Sequence, residues 1–222
     1  MRQLKICSAG LLICVLFLFS CKEKKIHEQV TNGSLPFYSS ADFTPQWISA
    51  GDAAYASIHR IAPFSFTDQS GKNITEKKLS GKIYVADFFF TSCPGICKQL
   101  TGNLGIVQDA FANDTDVLLL SHSVTPDIDS VPVLQRYAKT FKIKTGKWFL
   151  VTGNRDSIYT LARQSYFADE DLGLKKSSND FLHTENLLLI DKQGRIRGVY
   201  KGTSLKDIND LIADIKILEK EI

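Results

Sequence analysis

Two cysteines separated by three residues are the part of this sequence best suited to chemistry: residues 93–97 read CPGIC. They stand where an apolar run, Ile83 to Phe90, gives way to a helical pattern, which places both thiols at a predicted helix N-terminus. The unpaired N–H groups and the helix dipole at such a position favour the thiolate over the thiol. Because thiolate binds soft metal ions and attacks disulfides, the motif predicts a metal site or a redox site.

The spacing of the cysteines favours metal binding. Three intervening residues place Cys93 and Cys97 about one helical turn apart, so both sulfurs can face one point. Dithiol oxidoreductases commonly place two residues between their cysteines, which counts against simple dithiol exchange. Cu(I) prefers thiolate ligands, and Cu(II) accepts thiolate together with imidazole. Two sulfurs leave such a site incomplete, so we expect a third ligand.

The chain has four histidines that can supply this ligand. His27 lies in a predicted linker and His59 precedes the first predicted hairpin, so both are interpreted as solvated surface residues. His122 ends a central strand, where α/β sheets tend to place their sites; a hydrogen-bonded polar residue at a strand end is the simpler interpretation. His183 lies just before the predicted strand Leu187 to Ile190, which makes it the leading candidate.

Alternating strand and helix patterns position these residues. Continuous apolar runs predict central strands, and apolar residues at spacings of three and four predict the helices that follow them. A hairpin is predicted at each end of this series, and an amphipathic helix closes the chain. The pattern indicates an α/β fold with one central mixed sheet, helices on both faces and an N-terminal β-hairpin. A strand, then paired cysteines, then a helix narrows it to a thioredoxin-like domain.

The loop before the Leu187 strand differs from that of thioredoxin-type oxidoreductases. Those enzymes have a cis-proline there, which guides the substrate strand to the cysteines. This chain has no proline after Pro132, and His183 lies in that neighbourhood instead. The loop is therefore a candidate source of a metal ligand.

The first residues predict export. Residues 1–20 combine a short basic start with an apolar run shorter than the roughly 20 residues that span a bilayer, which indicates a signal peptide. Residues 18–21, LFSC, resemble a bacterial lipobox, so Cys21 is predicted to carry lipid; an uncleaved N-terminal anchor is the alternative. Either one holds the domain at the membrane in the cell envelope, in the periplasm or outside the cytoplasmic membrane. Residues 21–46 are predicted to be a flexible linker, and residues 47–222 a single domain.

Cleavage after residue 20 changes both the net charge of the chain and its set of thiols. Removal of residues 1–20 deletes Arg2 and Lys5, which lowers the formal charge from +3 to +1, so no nucleic-acid partner is predicted. Cys93 and Cys97 are then the only free thiols, in a compartment where disulfides can form and persist.

Two segments resemble the Sco/SenC family, in an order of motifs from Phe64 to Ile215. Residues 87–97, DFFFTSCPGIC, resemble its copper motif, and His183 falls where that family's third ligand does. Residues 123–132, SVTPDIDSVP, resemble its segment before the second helix.

The second of these segments departs from the family pattern. Thr125 stands at a commonly acidic position, and one extra residue precedes Pro132. We therefore expect no ligand role for Asp127 or Asp129, and expect Asp129 to cap the next helix.

The resemblance implies a membrane-tethered copper metallochaperone that is not an enzyme. Its ligands would be Cys93, Cys97 and His183, its cargo Cu(I), Cu(II) or both, and its partner the copper A subunit of a cytochrome c oxidase or a similar copper recipient. The alternative is a tethered thiol-disulfide oxidoreductase that reduces the recipient's cysteines, with Cys93 and Cys97 as the redox-active pair.

Three other interpretations of the cysteines are disfavoured. A peroxidase needs an activating arginine, and none lies near Cys93 in the sequence. Structural zinc normally has four protein ligands, and three are evident. A disulfide staple over a five-residue loop would constrain the unfolded chain little.

Overall fold

One seven-stranded sheet organises the chain. The computed structural model describes residues 34–168 and 184–221. The strands lie in the order β2-β1-β5-β4-β3-β6-β7. Their bounds are β1 Ser65–Asp68, β2 Asn73–Thr75, β3 Ile83–Phe89, β4 Val117–Ser123, β5 Trp148–Thr152, β6 Asn186–Ile190 and β7 Ile196–Lys201.

Helices cover both faces of this sheet. They are α1 Glu76–Leu79, α2 Ile96–Ala110, α3 Val131–Thr140, α4 Arg155–Gln164 and α5 Leu205–Leu218, with a short 3-10 helix at Ala53–Ser57. Buried residues of α2, α3 and α5 join the hydrophobic cluster on one face, and those of α1 and α4 join the cluster on the other.

The central strands explain the continuous apolar runs of the sequence. β3 pairs in parallel with β4, from Ile83 opposite Val117 to Phe89 opposite Ser123, and every residue of both strands is buried. β4 pairs in parallel with β5, and β6 runs antiparallel to β3 on its other side. Parallel strands covered on both faces are mostly apolar, because neither face meets water. The predicted mixed sheet, with its N-terminal hairpin β1–β2, is confirmed.

The folded domain begins before the boundary that the sequence predicted. Residues 35–46 were expected to be the end of a flexible linker. Leu35 and Phe37 are instead buried, Phe37 pairs with Gln46, and Tyr38 pairs with Ile196 of β7. The linker prediction is therefore wrong for this stretch, because isolated apolar residues in a turn-rich segment gave no periodicity to recognise. The compact unit therefore begins at Leu35.

Within the described residues, no helix has the length and apolar character needed to cross a membrane.

Candidate metal centre

The two cysteines lie between the carboxyl end of β3 and the first turn of α2. Cys97 belongs to the first turn of the helix, and Gly95 is its N-cap residue. Neither cysteine forms a disulfide, and both side chains are buried, with Cys93 6% exposed and Cys97 1% exposed. The two side chains hydrogen-bond to one another, so the structure brings together the pair that the spacing predicted.

The two thiols differ in acidity. Burial acts to raise the pKa of Cys93, but hydrogen bonds from the backbone of Cys97 and Gly95 outweigh it and leave the pKa below its usual value. Burial raises the pKa of Cys97 to about 12, and a backbone hydrogen bond at Phe90 opposes this rise. The nearby Cys93 and Asp87 raise it further. The helix N-terminus thus stabilises one thiolate, at the more exposed cysteine.

A buried carboxyl group lies on the same face of the sheet as the cysteines. Asp87 of β3 is 2% exposed, and burial raises its pKa to about 7. The Ser121 hydroxyl donates to Asp87, and the Trp148 indole N–H donates to the Ser121 oxygen at 2.8 Å. Sequence reasoning did not single out Asp87, although a lone charge inside an apolar strand was a signal that could have identified it.

Asp129 does not have the capping role expected of it. The N-cap residue of α3 is Ser130, and its side chain makes no capping hydrogen bond. The buried carboxylate of Asp129 instead accepts hydrogen bonds from Thr91, Ser123 and Thr125. Asp129 therefore joins the loop before Cys93 to the loop after β4, a contact that the sequence could not indicate because 38 residues separate Thr91 from Asp129.

His122 lies on the opposite face of the sheet from the cysteines. It is fully buried among four rings, those of Phe64, Phe66, Phe88 and Tyr166, with centroid distances of 5.0–5.8 Å. Neither ring nitrogen has a hydrogen-bond partner among the described residues, and burial lowers the pKa of His122 to about 3. It is neither a third ligand nor the hydrogen-bonded residue that its strand-end position predicted.

The other histidines and the lipid site have different outcomes. His59, expected to be solvated, is partly buried and its Nε2 donates to the carbonyl oxygen of Ser165 at 2.8 Å. His27, His183 and Cys21 lie outside the described residues. The roles of His183 and Cys21 therefore stay predictions.

The described residues contribute two candidate metal donors at this site. Over residues 34–168 and 184–221, no group of three or more His, Cys, Asp or Glu side chains is placed to hold a metal ion. Thr184 and Glu185 precede β6, whose antiparallel pairing with β3 brings Asn186 toward the end of the sheet where the cysteines follow β3. Two sulfurs are donors that suit a soft metal ion.

A cavity of about 780 Å³ lies away from the cysteines, between the β1–β2 hairpin and α4. Phe64 and Phe66 form part of its wall, and neither cysteine lines it. We therefore place the candidate site at the cysteines, where the pKa values are shifted by specific neighbours, and not in this cavity.

Comparison with known proteins agrees with the family resemblance of the sequence. The SCO1/SenC family profile matches residues 53–219 of this chain. The crystal structure of a SCO1/SenC family lipoprotein from Bacillus anthracis str. Ames has a TM-score of 0.64 and 32% identity, covering 73% of this chain and 96% of that chain.

Two further solved structures are similar to this chain. BsSco, described with a disulfide switch as a member of the Sco family of cytochrome c oxidase assembly proteins, has a TM-score of 0.62 and 27% identity over 74% of this chain and 96% of its own. Bradyrhizobium japonicum ScoI with copper bound has a TM-score of 0.57 and 26% identity over 71% of this chain and 98% of its own.

Proposed function

The chain belongs to the SCO1/SenC family, and we propose that it is a copper metallochaperone that delivers copper to the copper A centre of a cytochrome c oxidase. The observation that supports this most directly is the pair of reduced, mutually hydrogen-bonded thiols of Cys93 and Cys97 at the N-terminus of α2. A similar protein has been solved with copper bound, and another is named as an oxidase assembly protein.

The chemistry of the two thiols suits copper as cargo. Copper(I) prefers thiolate, and binding it requires that both thiols lose their protons. Cys93 already has a lowered pKa, so we propose that it binds copper first and that Cys97, with its pKa of about 12, loses its proton only as the second bond forms.

We assign the third ligand to His183. The residue stands immediately before Thr184, and Thr184 leads into β6 at the end of the sheet that carries the cysteines. A site with two sulfurs and one imidazole leaves room for an incoming cysteine of the recipient. Copper can then leave by exchange of one ligand at a time. Lipid on Cys21 would hold the domain at the membrane where the oxidase is assembled, and a similar protein is named a lipoprotein.

A thiol-disulfide oxidoreductase is the second candidate, favoured by the unequal acidity of the two cysteines. In dithiol exchange the thiolate of Cys93 would attack the recipient's disulfide. Cys97 would then displace the reduced recipient and close the Cys93–Cys97 disulfide. One recipient disulfide becomes two thiols and this protein's two thiols become one disulfide, so the electrons balance.

Copper stoichiometry separates these functions. The chain without residues 1–20 is reduced, loaded with Cu(I) and compared with Cys93→Ala, Cys97→Ala and His183→Ala. We expect one copper per chain, lost in both cysteine variants, and an affinity at least roughly tenfold lower in His183→Ala. His59→Ala is the matched control, because that histidine bonds Ser165 and belongs to no predicted site.

Transfer is measured next, from the loaded chain to an isolated copper A domain. Copper transfer that His183→Ala abolishes supports the chaperone. Absence of copper in the parent chain, with rapid reduction of the recipient's disulfide, would replace it with the oxidoreductase.

A further inference from the structure

Asp129 is the point at which two loops beside the cysteines are joined. It is 0% exposed, and its carboxylate accepts four hydrogen bonds: two from Thr91, and one each from Ser123 at the end of β4 and Thr125 just after it. Oδ1 accepts from the Thr91 hydroxyl, and Oδ2 accepts from the Thr91 backbone N–H at 3.2 Å. Oδ2 also accepts from the hydroxyls of Ser123 at 2.6 Å and Thr125 at 3.0 Å.

All four donors are neutral, and Asp129 has no ion pair among the residues that the structure describes. A buried carboxylate without a cation depends on its hydrogen bonds to compensate for lost hydration. Any movement of Thr91 away from the loop after β4 therefore leaves a buried charge with fewer donors. These hydrogen bonds therefore oppose movement of Thr91, and with it movement of the two residues that follow, Ser92 and Cys93.

Thr91 is two residues before Cys93, and backbone hydrogen bonds at Phe89, Phe90 and Cys93 hold the chain before and after it. The Val124 N–H donates to the Phe89 carbonyl at 2.9 Å, and the Cys93 N–H donates to the Phe90 carbonyl at 3.4 Å. With Thr91 bonded through both its backbone and its side chain, the path from the end of β3 to Cys93 is defined. Cys97, by contrast, is positioned by α2 itself.

We propose that Asp129 is a positioning residue that sets the place of the Cys93 sulfur relative to Cys97. Two consequences follow. The pair binds copper more tightly than an unrestrained pair would. The two thiols also have a higher effective concentration toward one another, which favours the Cys93–Cys97 disulfide. The first consequence rests on the proposed function, whereas the second does not.

Paired variants separate geometry from charge. Asp129→Ala removes all four bonds. Asp129→Asn keeps them if its carbonyl oxygen takes the place of Oδ2 and its NH₂ donates to a reversed Thr91 hydroxyl, so we expect it to restore the site. Thr91→Val removes one bond and Thr91→Ser retains it. Tyr84→Phe is the control, since it removes a buried hydrogen bond to Tyr166 on the other face of the sheet.

Two readouts are taken on the chain without residues 1–20, under conditions where urea denaturation shows each variant to be folded. The first is Cu(I) affinity by competition with a chelator, together with the sulfur-to-copper absorption band of the Cu(II) form. The second is the equilibrium between the Cys93–Cys97 dithiol and its disulfide in glutathione buffers, in which one oxidised glutathione yields two reduced glutathiones. The second readout contains no metal.

We expect Asp129→Ala to lower copper affinity roughly tenfold, the size of effect seen when groups behind metal ligands are removed, and to change the absorption band. It should lower the effective concentration of the thiol pair by a similar factor. Thr91→Val should move both in the same direction by less, while Asp129→Asn, Thr91→Ser and Tyr84→Phe stay near the parent.

The outcomes distinguish the two proposals. If the parent binds copper and Asp129→Ala changes neither readout, the positioning role is wrong and the chaperone function stands. If the parent binds no copper but the disulfide equilibrium shifts as expected, the chaperone function fails and the positioning role stands. An Asp129→Asn variant as impaired as Asp129→Ala would assign the effect to charge and would overturn the geometric proposal.

Discussion

At the scale of single residues, His122 is the side chain whose surroundings fit it least. Its imidazole is fully buried against four aromatic rings, and neither nitrogen has a hydrogen-bond partner in the described part of the chain. An unsatisfied buried polar group reduces stability by about 1–3 kcal/mol. Burial also lowers its pKa to about 3. The folded state therefore keeps His122 neutral at pH values where the unfolded chain protonates it.

This difference in proton binding makes the free energy of unfolding depend on pH. Between about pH 6.5 and pH 3 the unfolded state binds the proton and the folded state does not, so stability falls as the pH falls. His122→Phe removes the titrating group and keeps an aromatic ring inside the cage. We expect the loss of stability between pH 7.5 and pH 4.5, measured by urea denaturation, to be about 2–3 kcal/mol smaller than in the parent.

The matched control is Phe88→Leu, which loosens the same cage without removing a titrating group. Phe88 stacks on His122 at 5.0 Å, so this variant should lose stability by a similar amount at both pH values. A His122→Phe chain with the parent's pH dependence would contradict the prediction.

The sequence predicted individual roles only where a residue acts through its own chain neighbours. Cys93 and Cys97 could be paired because one helical turn brings them together. The contacts of His122 and Asp129 could not be predicted, because their partners come from distant parts of the chain. His122 is surrounded by rings from β1 and the residue before it, from β3 and from the segment after α4. Asp129 is bonded to a loop 38 residues away.

At the scale of elements, the helix starts differ in how they are capped. The Ser204 hydroxyl oxygen accepts from the Asp207 N–H at the start of α5, and the same hydroxyl donates to the Asp207 carboxylate at 2.7 Å. Ser130 holds the equivalent place in α3 but makes no side-chain capping bond. Both N-cap residues are therefore serine, but only Ser204 makes a capping hydrogen bond.

This difference predicts unequal effects of one substitution. Ser204→Ala should lower the free energy of unfolding by about 1 kcal/mol, because it leaves an N–H of the first turn unpaired. Ser130→Ala, at an exposed position, should change it by less than about 0.5 kcal/mol. Urea denaturation of the two variants beside the parent measures both, and equal losses would show that the cap geometry has no effect.

Elements with a clear period were predictable from the sequence, and those without one were not. The apolar runs of β3, β4 and β5 and the spacing in α2 and α5 carry their own pattern, which the structure confirms. The short helix α1 and the 3-10 helix at Ala53–Ser57 are too short to show a period.

At the scale of the whole domain, its first and last described segments meet at one guanidinium group. Arg197, 2% exposed, donates to the carbonyl oxygens of Leu35 and Pro36 and forms an ion pair with Glu221 at 2.6 Å. Its guanidinium also lies 4.2 Å from the ring centroid of Phe37. This junction adjoins the start of β7, whereas the cysteines follow the end of β3.

The two places lie at opposite ends of the sheet. β7 runs antiparallel to β6, which runs antiparallel to β3, so β7 and β3 start at the same end of the sheet. The chain therefore enters the folded domain at the end away from the candidate metal centre.

This arrangement predicts that residues 35–46 stabilise the domain without forming its metal site. A chain that begins at residue 47 loses the burial of Leu35 and Phe37 and leaves Arg197 without two of its acceptors. We expect its free energy of unfolding to be lower by about 3–5 kcal/mol than that of a chain that begins at residue 35. Urea denaturation of both chains, each with reduced cysteines, gives the difference directly.

Point variants in the longer chain test the same contact without deletion. Phe37→Ala should reproduce most of the loss, while Thr44→Ala, an exposed residue whose side chain bonds only Asp42 nearby, should not. Copper stoichiometry measured on folded samples should be the same in all four chains, because the junction and the cysteines lie at opposite ends of the sheet. Equal stability of the two chain lengths would place the start of the domain after residue 46, as the sequence pattern alone predicted, and copper lost on truncation would show that the two ends of the sheet are coupled.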